Sequence, residues 1–320
     1  MRLFEHPDFD QAIIAAQRHF ARPGLTEQLI EKDYYVTEAL RIVASYLPGK
    51  ILFKGGTSLS KGWDLIQRFS EDLDLFVNPI AYDPALGRNG IDRELKKLRD
   101  AVAAHGGLTL RPEESQTVGG FGRSDRFEYP LRFSGIAAVA PRVLLEVGTS
   151  SGTEPTETRS ITSYVSAFLR ETRATLEAVD EIPFDMPLLH FRRTFVEKMF
   201  AIHAKVEMFK ESGQAIGSYA RHYYDLACLV TRPEVIAMLH SAEYDTIKAD
   251  YERISLAAFP RGYRRPADMS FANSEALFPP QTLSATLGVE YHRQCRVLCY
   301  DAFPAWNDVL AQFAQLRGVL

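Results

Sequence analysis

At roughly 150 residues per domain, a chain of 320 residues makes about two domains, or one large one. Its 46% apolar and 24% charged residues are those of an ordinary soluble globular protein, with enough core to need no disulfide or metal staple. Lys plus Arg is 37 against 41 Asp plus Glu, a formal net charge of −4, which excludes a histone-like basic nucleic-acid binder but not a local basic groove. Three cysteines, Cys228, Cys295 and Cys299, form no Cys-x-x-Cys pair, and the odd count fits a reduced, cytoplasmic protein. Cys295 and Cys299 lie one helical turn apart; with no matching second pair they read as buried structural thiols rather than half of a metal site. Residues 1–6 lack the apolar stretch of a signal peptide, and no run approaches 18 uninterrupted apolar residues, so neither a secretory signal nor a membrane span is expected.

In chain order, the spacing of Ile13, Ile14 and Phe20 predicts a helix over 8–21, broken by Pro23-Gly24. Thr26 reads as the N-cap of a second helix, running to Tyr46 or Leu47 and stopped by Pro48-Gly49. Ile51-Leu52-Phe53 predicts a buried strand entering the tight Gly55-Gly56 turn, followed by a short helix from Ser58 to Ile66. Leu73, Leu75 and Val77 alternate with Asp72, Asp74 and Phe76, the period of a half-buried strand. A basic amphipathic helix is expected over 91–104 and strands over 108–110, 126–133 and 143–148, with a flexible turn at 119–122. The polar segment 149–163 reads as a surface connection. Beyond about 185 the period becomes helical, with candidates at 190–211, 218–230, 233–257, 280–300 and 304–318. The expected architecture is therefore an α/β half followed by an all-helical half.

The densest chemical signal is Phe53-Lys54-Gly55-Gly56-Thr57-Ser58-Leu59-Ser60-Lys61, then Arg68-Phe69-Ser70-Glu71-Asp72-Leu73-Asp74-Leu75. It is not a Walker loop: counted from Gly55, Ser60 stands where Gly is required and Gly62 where Ser or Thr is required. It is not an EF-hand either, because Val77 occupies the sixth position from Asp72. Side chains two apart on a strand share a face at about 6.6 Å, so Asp72 and Asp74 aim two carboxylates at one place. At an effective dielectric near 20 their repulsion is on the order of 3 kcal/mol, which a cation between them relieves. Hard oxygen ligands suit Mg²⁺, with Mn²⁺ as the substitute, and Mg²⁺ also takes substrate phosphates. Glu146, inside the apolar run Val143–Gly148, is costly unless paired or metal-bound and supplies a candidate third ligand. Gly55 and Gly56 allow close approach of backbone to a triphosphate, with Thr57 and Ser58 adding hydroxyls. The competing reading of an isolated Asp-x-Asp, a solvated edge-strand face, is outweighed by the preceding Gly-Gly-Thr-Ser turn and the later Glu146.

These residues resemble the AbiEii/AbiGii toxin family, nucleotidyltransferases of the polymerase-β-like superfamily. The superfamily pattern is Gly-Gly/Ser, a spacer, Asp-x-Asp and a third acid on a later strand; the spacer between Thr57 and Asp72 is 14 residues. The resemblance implies Asp72 and Asp74 as metal ligands, Glu146 as the third acid although Asp is common there, and Glu31-Lys32-Asp33-Tyr34-Tyr35 as the family's N-terminal helix. It extends over roughly residues 26–230. In the helical half, Lys198 sits in an apolar run, with Lys205 two turns along the same face. Arg221 and Asp225 are spaced as an intrahelical ion pair, with Ser218 as N-cap. The resemblance matches Glu197-Lys198 and Arg221–Leu226 to later family motifs, in which the Lys and the Asp are needed for activity. Lys198 then neutralises the triphosphate as a point charge, and Asp225 orients Lys198, Arg221 or the acceptor hydroxyl. His203 and His222 read as structural. Arg261-Gly262-Tyr263-Arg264-Arg265 suits either single-stranded RNA or an ordinary loop; the cluster Arg93, Lys96, Lys97 and Arg99 reads as a solvated helix face.

The resemblance implies a polymerase-β-like N-terminal lobe with a mixed sheet (1–180) and a helical lobe (181–320) that completes the cleft. It implies a Mg²⁺-dependent transfer from a nucleoside triphosphate, by a cytoplasmic toxin of a toxin–antitoxin or phage-defence pair. Some relatives add nucleotides to the 3′ end of tRNA and block aminoacylation, so tRNA is the expected acceptor and a cognate antitoxin the expected partner. In some such pairs a kinase-like antitoxin phosphorylates the serine matching Ser70, which also sits near the triphosphate. Two rivals are a small-molecule (antibiotic-type) or protein nucleotidyltransferase and a non-catalytic nucleotide- or RNA-binding protein on the same fold.

Overall fold

The computed structural model describes residues 1–70, 72–135 and 139–320; Glu71 of the acidic motif lies outside them. The chain divides into two compact units. The first comprises Met1–Asp64, Phe69–Thr149 and Thr156–Leu189, and the second Leu65–Arg68, Ser150–Pro155 and His190–Leu320.

The first unit contains α1 (Phe9–Phe20), α2 (Glu27–Tyr46), β1 (Ile51–Lys54), α3 (Gly55–Lys61), β2 (Asp72–Val77) and α4 (Arg88–Ala103). There follow β3 (Thr109–Leu110), β4 (Gln116–Val118), β5 (Gly122–Glu128), β6 (Arg142–Gly148), β7 (Thr156–Ile161), α5 (Tyr164–Thr172) and β8 (Phe184–Leu189). The strands form one mixed sheet in the order β3-β5-β6-β2-β1-β8-β7, with β4 paired to β5. β2 runs antiparallel to β1 and parallel to β6, while β8 runs parallel to β1.

Alternation decides which face is core. Ile51, Phe53, Leu73, Leu75, Val77, Val143, Leu145 and Val147 are all buried and in register across β1, β2 and β6. Each contributes about 1.5–3 kcal/mol by leaving water. α2 packs on β6 and β8, and α4 on β5. Thr26 caps α2 as its position predicts, its hydroxyl accepting from the Leu29 N–H. The opposite face carries a small apolar cluster, Leu52, Phe76 and Leu189, and turns polar toward the start of β2.

One expectation fails here for a physical reason. The segment read as a surface connection contains β7, antiparallel to β8 at the sheet edge. Its Thr156, Glu157 and Thr158 are exposed, as suits an edge strand, so it carries no period-2 signal. β8 lies beyond residue 180, and the first unit extends to Leu189.

The second unit contains α6 (Phe191–Ser212), α7 (Arg221–Val230), α8 (Pro233–Leu239), α9 (Ala242–Ala258), α10 (Gln281–Leu298) and α11 (Trp306–Leu316). The single helix expected over 233–257 is two helices, broken at His240-Ser241, where Ser241 caps α9 by accepting from the Glu243 N–H. Ser218 is not a cap: it lies inside a 3-10 turn, Gly217–Ala220, and no side chain caps α7. Among the described residues no helix is long and apolar enough to cross a membrane.

Candidate active site

The register brings the predicted acids into a row. Asp74 on β2 is the direct cross-strand partner of Glu146 on β6, and Asp72, two residues back, pairs with Leu144 on the same face. Neighbouring strands lie about 4.7–4.9 Å apart, so these side chains stand side by side. The row continues on both sides: Lys54 of β1 stands opposite Asp74, and Ser124 of β5 opposite Glu146. Burial, then the neighbouring charges of Asp74 and Asp72, push the Glu146 carboxyl above the usual range, opposed by Lys54 and by a hydrogen bond with Ser124. Neither Lys54 nor Ser124 stands out in the sequence, because only the pairing of strands distant along the chain shows them beside the acids.

Among the described residues, no three His, Cys, Asp or Glu side chains already converge as a metal-binding group. Asp72, Asp74 and Glu146 nevertheless share one sheet face, and the repulsion of Asp74 and Asp72 on Glu146 is the electrostatic condition a cation relieves. Their hard carboxylate oxygens fit Mg²⁺ or Mn²⁺.

The Gly-Gly turn is built around Asp74. Gly55 has a left-handed φ of +75°, and a Cβ there would lie 1.9 Å from Asp74 Oδ2. Only glycine lets the backbone pass this close to the carboxylate. The short helix α3 starts at Gly55 itself rather than at Ser58. The Thr57 hydroxyl donates to the Asp72 carbonyl at 2.6 Å, and the Ser58 hydroxyl to the Gly55 carbonyl at 2.9 Å. Each hydroxyl has one proton, so in this conformation both donors tie the turn together instead of facing a ligand. Ser70 is 8% exposed and lies two residues before Asp72, the first residue of β2.

Several other charged residues of the motifs hold the unit together. Lys61 Nζ pairs with Asp33 Oδ1 at 2.6 Å, and Asp33 Oδ2 also accepts the Tyr164 N–H. Glu31 accepts the N–H groups of Arg132 and Phe133, and the Tyr34 hydroxyl donates to Asp180. The Glu31–Tyr35 stretch of α2 therefore anchors the fold from inside.

The second unit holds the remaining predicted residues. Asp225 on α7 is fully buried, and Arg68 grips it with two hydrogen bonds, Nε to Oδ1 at 2.6 Å and Nη2 to Oδ2 at 2.7 Å. Lys198 of α6 reaches the same Oδ2 at 2.7 Å. Of the partners open to Asp225, Lys198 is therefore one the structure provides. Burial raises the Asp225 carboxyl, but Arg68 and Lys198 override it and hold the group well below the usual carboxylate range. Burial pushes Lys198 down, opposed by Asp225 and reinforced by Arg68. Arg221 opens α7, one turn before Asp225. Arg68 is the residue that sequence reading misses: its partner lies 157 positions away.

The basic candidates dissolve in part. Arg264 pairs with Glu211 and Arg265 with Glu252, whose carboxylate also accepts from the Tyr263 hydroxyl. Lys96, Lys97 and Arg99 pair with Asp92, Glu94 and Asp100, as a solvated face does. Cys228, Cys295 and Cys299 are free thiols.

The family described as nucleotidyl transferase AbiEii toxin, type IV toxin–antitoxin system, matches residues 39–302. No curated protein sequence matches the chain. Among solved structures, the fold is similar to MenT4, a nucleotidyltransferase toxin from Mycobacterium tuberculosis. The TM-score is 0.50 at 15% identity, covering 96% of each chain. With a sheet that lines up the acids of the motif and a match over most of its length, the chain belongs to the AbiEii nucleotidyltransferase toxin family of type IV toxin–antitoxin systems.

Proposed function

We propose that the protein transfers a nucleotide from a nucleoside triphosphate to the 3′ end of tRNA, and so stops translation and growth, in a Mg²⁺-dependent reaction. The observation that carries this reading is the cross-strand row of Asp72, Asp74 and Glu146 beside the Gly55 turn. These three carboxylates are the proposed ligands of Mg²⁺ or Mn²⁺. Held by these carboxylates, a metal would supply Lewis-acid chemistry, lowering the acceptor hydroxyl's pKa and offsetting charge on the leaving pyrophosphate. The acceptor hydroxyl releases its proton to solvent as its oxygen bonds to the α-phosphorus, the bond from the α-phosphorus to the bridging β-phosphate oxygen breaks, and pyrophosphate leaves with that electron pair.

The chain's own groups supply position and charge. Gly55 and Gly56 let phosphate oxygens approach the backbone beside Asp74, while Thr57 and Ser58 keep the turn in shape. Lys54 offsets part of the negative charge on the acid face. Lys198, oriented by Asp225, is the proposed phosphate cation, with Arg221 beside it on α7 and Ser70 a further group near the nucleotide. The cognate antitoxin is the proposed protein partner, and phage defence the proposed setting.

The tRNA acceptor follows from the resemblance. Pairing of Arg264 and Arg265 with acids is the one observation that favours a small-molecule acceptor instead. Sequencing the 3′ ends of cellular RNA after expression decides between them. Extra nucleotides on tRNA with the wild type and none with Asp74→Asn support the proposal. Growth arrest with unaltered RNA ends overturns the tRNA acceptor.

A further inference from the structure

His222 sits on α7 one turn before Asp225, and its ring makes a contact that an ordinary core histidine does not. Its Nδ1 lies 3.2 Å from Lys198 Nζ. The same Nδ1 is 3.8 Å from Asp225 Oδ2, too far for a hydrogen bond. With Lys198 held as an ammonium by Asp225, only donors face the ring, and the contact then takes Nδ1 as the accepting nitrogen with the ring proton on Nε2. Lys198 thus places two of its three N–H groups on acceptors that diverge, Asp225 Oδ2 and His222 Nδ1. A single carboxylate contact leaves an ammonium on a four-carbon stem free to swing; a second acceptor fixes the direction of the third N–H. The ring is held from outside by Tyr219, packed edge-on at a centroid distance of 5.5 Å and 86°.

We propose that His222 is a positioning residue for Lys198: as a neutral imidazole it fixes the ammonium's orientation for the family's nucleotidyl transfer. The surroundings keep the ring in that state. Burial, then Lys198, push the His222 imidazolium down to about 3, and Arg221 acts in the same direction against Asp225. A protonated ring would put two cations at hydrogen-bond distance with Arg68 nearby, so the contact exists only with the ring neutral.

The test separates the acceptor atom from the ring's bulk. His222→Phe keeps the ring and its packing on Tyr219 but removes the acceptor, whereas His222→Asn keeps an acceptor oxygen near Nδ1. Growth arrest on expression reads the family activity without requiring the RNA species to be known. We expect His222→Phe to lower toxicity, scored as surviving colonies, by about tenfold or more at equal soluble protein, and His222→Asn to retain most of it. Where purified transfer is measured, kcat falls more than KM rises. ¹⁵N NMR of the histidines supplies a readout independent of activity and of the folding of His222→Phe. The His222 Nδ1 should be unprotonated at neutral pH, and its resonance should move in Lys198→Met. The proposal is overturned if His222→Phe is as toxic as wild type, if His222→Asn is as inactive as a well-folded His222→Phe, or if Nδ1 carries the proton. Wild-type growth arrest with unchanged tRNA ends would count against the proposed acceptor and leave the His222 assignment standing.

Discussion

A single methyl group at Gly55 should separate the site from the scaffold. In Gly55→Ala the new Cβ falls 1.9 Å from Asp74 Oδ2, 2.7 Å from its Cγ and 2.8 Å from its Cβ. Carbon contacts settle at about 3.5–4.0 Å, so the carboxylate must be displaced by well over about 1 Å. The left-handed φ of +75° adds backbone strain of about 1–2 kcal/mol. In a chain of this size that lowers Tm by only a few degrees. A reacting group misplaced by about 1 Å costs on the order of a hundredfold in rate. Gly49→Ala is the control, because Gly49 has the same hand, φ +70°, with nothing within 4 Å of its Cβ. Calorimetry of both variants, with transfer of label from an α-labelled nucleoside triphosphate, should show a loss of stability in both, larger in Gly55→Ala because the clash with Asp74 adds to the φ strain. Activity should be lost only in Gly55→Ala. Transfer by Gly55→Ala within a few-fold of Gly49→Ala would refute the placement of Asp74 at the reacting centre.

Asp72→Asn and Asp74→Asn should abolish transfer and toxicity while leaving the fold intact, and each should raise Tm slightly by removing like-charge repulsion. Glu146→Gln should raise Tm at neutral pH, because a carboxyl pushed up by burial destabilises the native state once ionised. That gain should vanish as pH falls below about 4, where the unfolded carboxyl is itself protonated, and Mg²⁺ should stabilise wild type more than the variant. Asp225→Asn should cost about 3–5 kcal/mol by leaving Arg68 and Lys198 buried without their counter-charge. Because Asp225 is held below its usual range, its contribution is complete above about pH 4 and is lost on further acidification, which acid unfolding monitored in the second unit can measure. Ser70→Glu should abolish toxicity by placing negative charge shortly before Asp72, whereas Ser70→Ala should keep part of it; toxicity of Ser70→Glu near wild type would count against switching there.

Most of this architecture is readable from local rules. Thr26 and the apolar spacing locate α2, and Leu73, Leu75 and Val77 locate β2, because each element's burial repeats with its own period. β7 escapes because its edge position leaves its polar residues in water, and the break between α8 and α9 escapes because Ser241 is a cap with no proline or glycine beside it. The acid row is legible as Asp72 and Asp74, two positions apart, and as Glu146 inside an apolar run. What joins Glu146 to Asp74 is the parallel pairing of β2 with β6, a contact between residues 72 positions apart. The same distance problem hides Lys54 and Ser124 as members of the row, and Arg68 as the clamp on Asp225. The sequence spacing of Arg221 and Asp225 suggested a local ion pair, whereas the buried carboxylate is satisfied by Arg68 and Lys198 from other parts of the chain.

The most direct test of the central claim is a transfer assay with purified protein. An α-labelled nucleoside triphosphate, total tRNA and Mg²⁺ are incubated with wild type and with Asp74→Asn, and pyrophosphate release is counted against label joined to RNA. The account predicts equimolar label and pyrophosphate with wild type, and neither with Asp74→Asn or after chelation of the metal. Equal transfer by Asp74→Asn would contradict it.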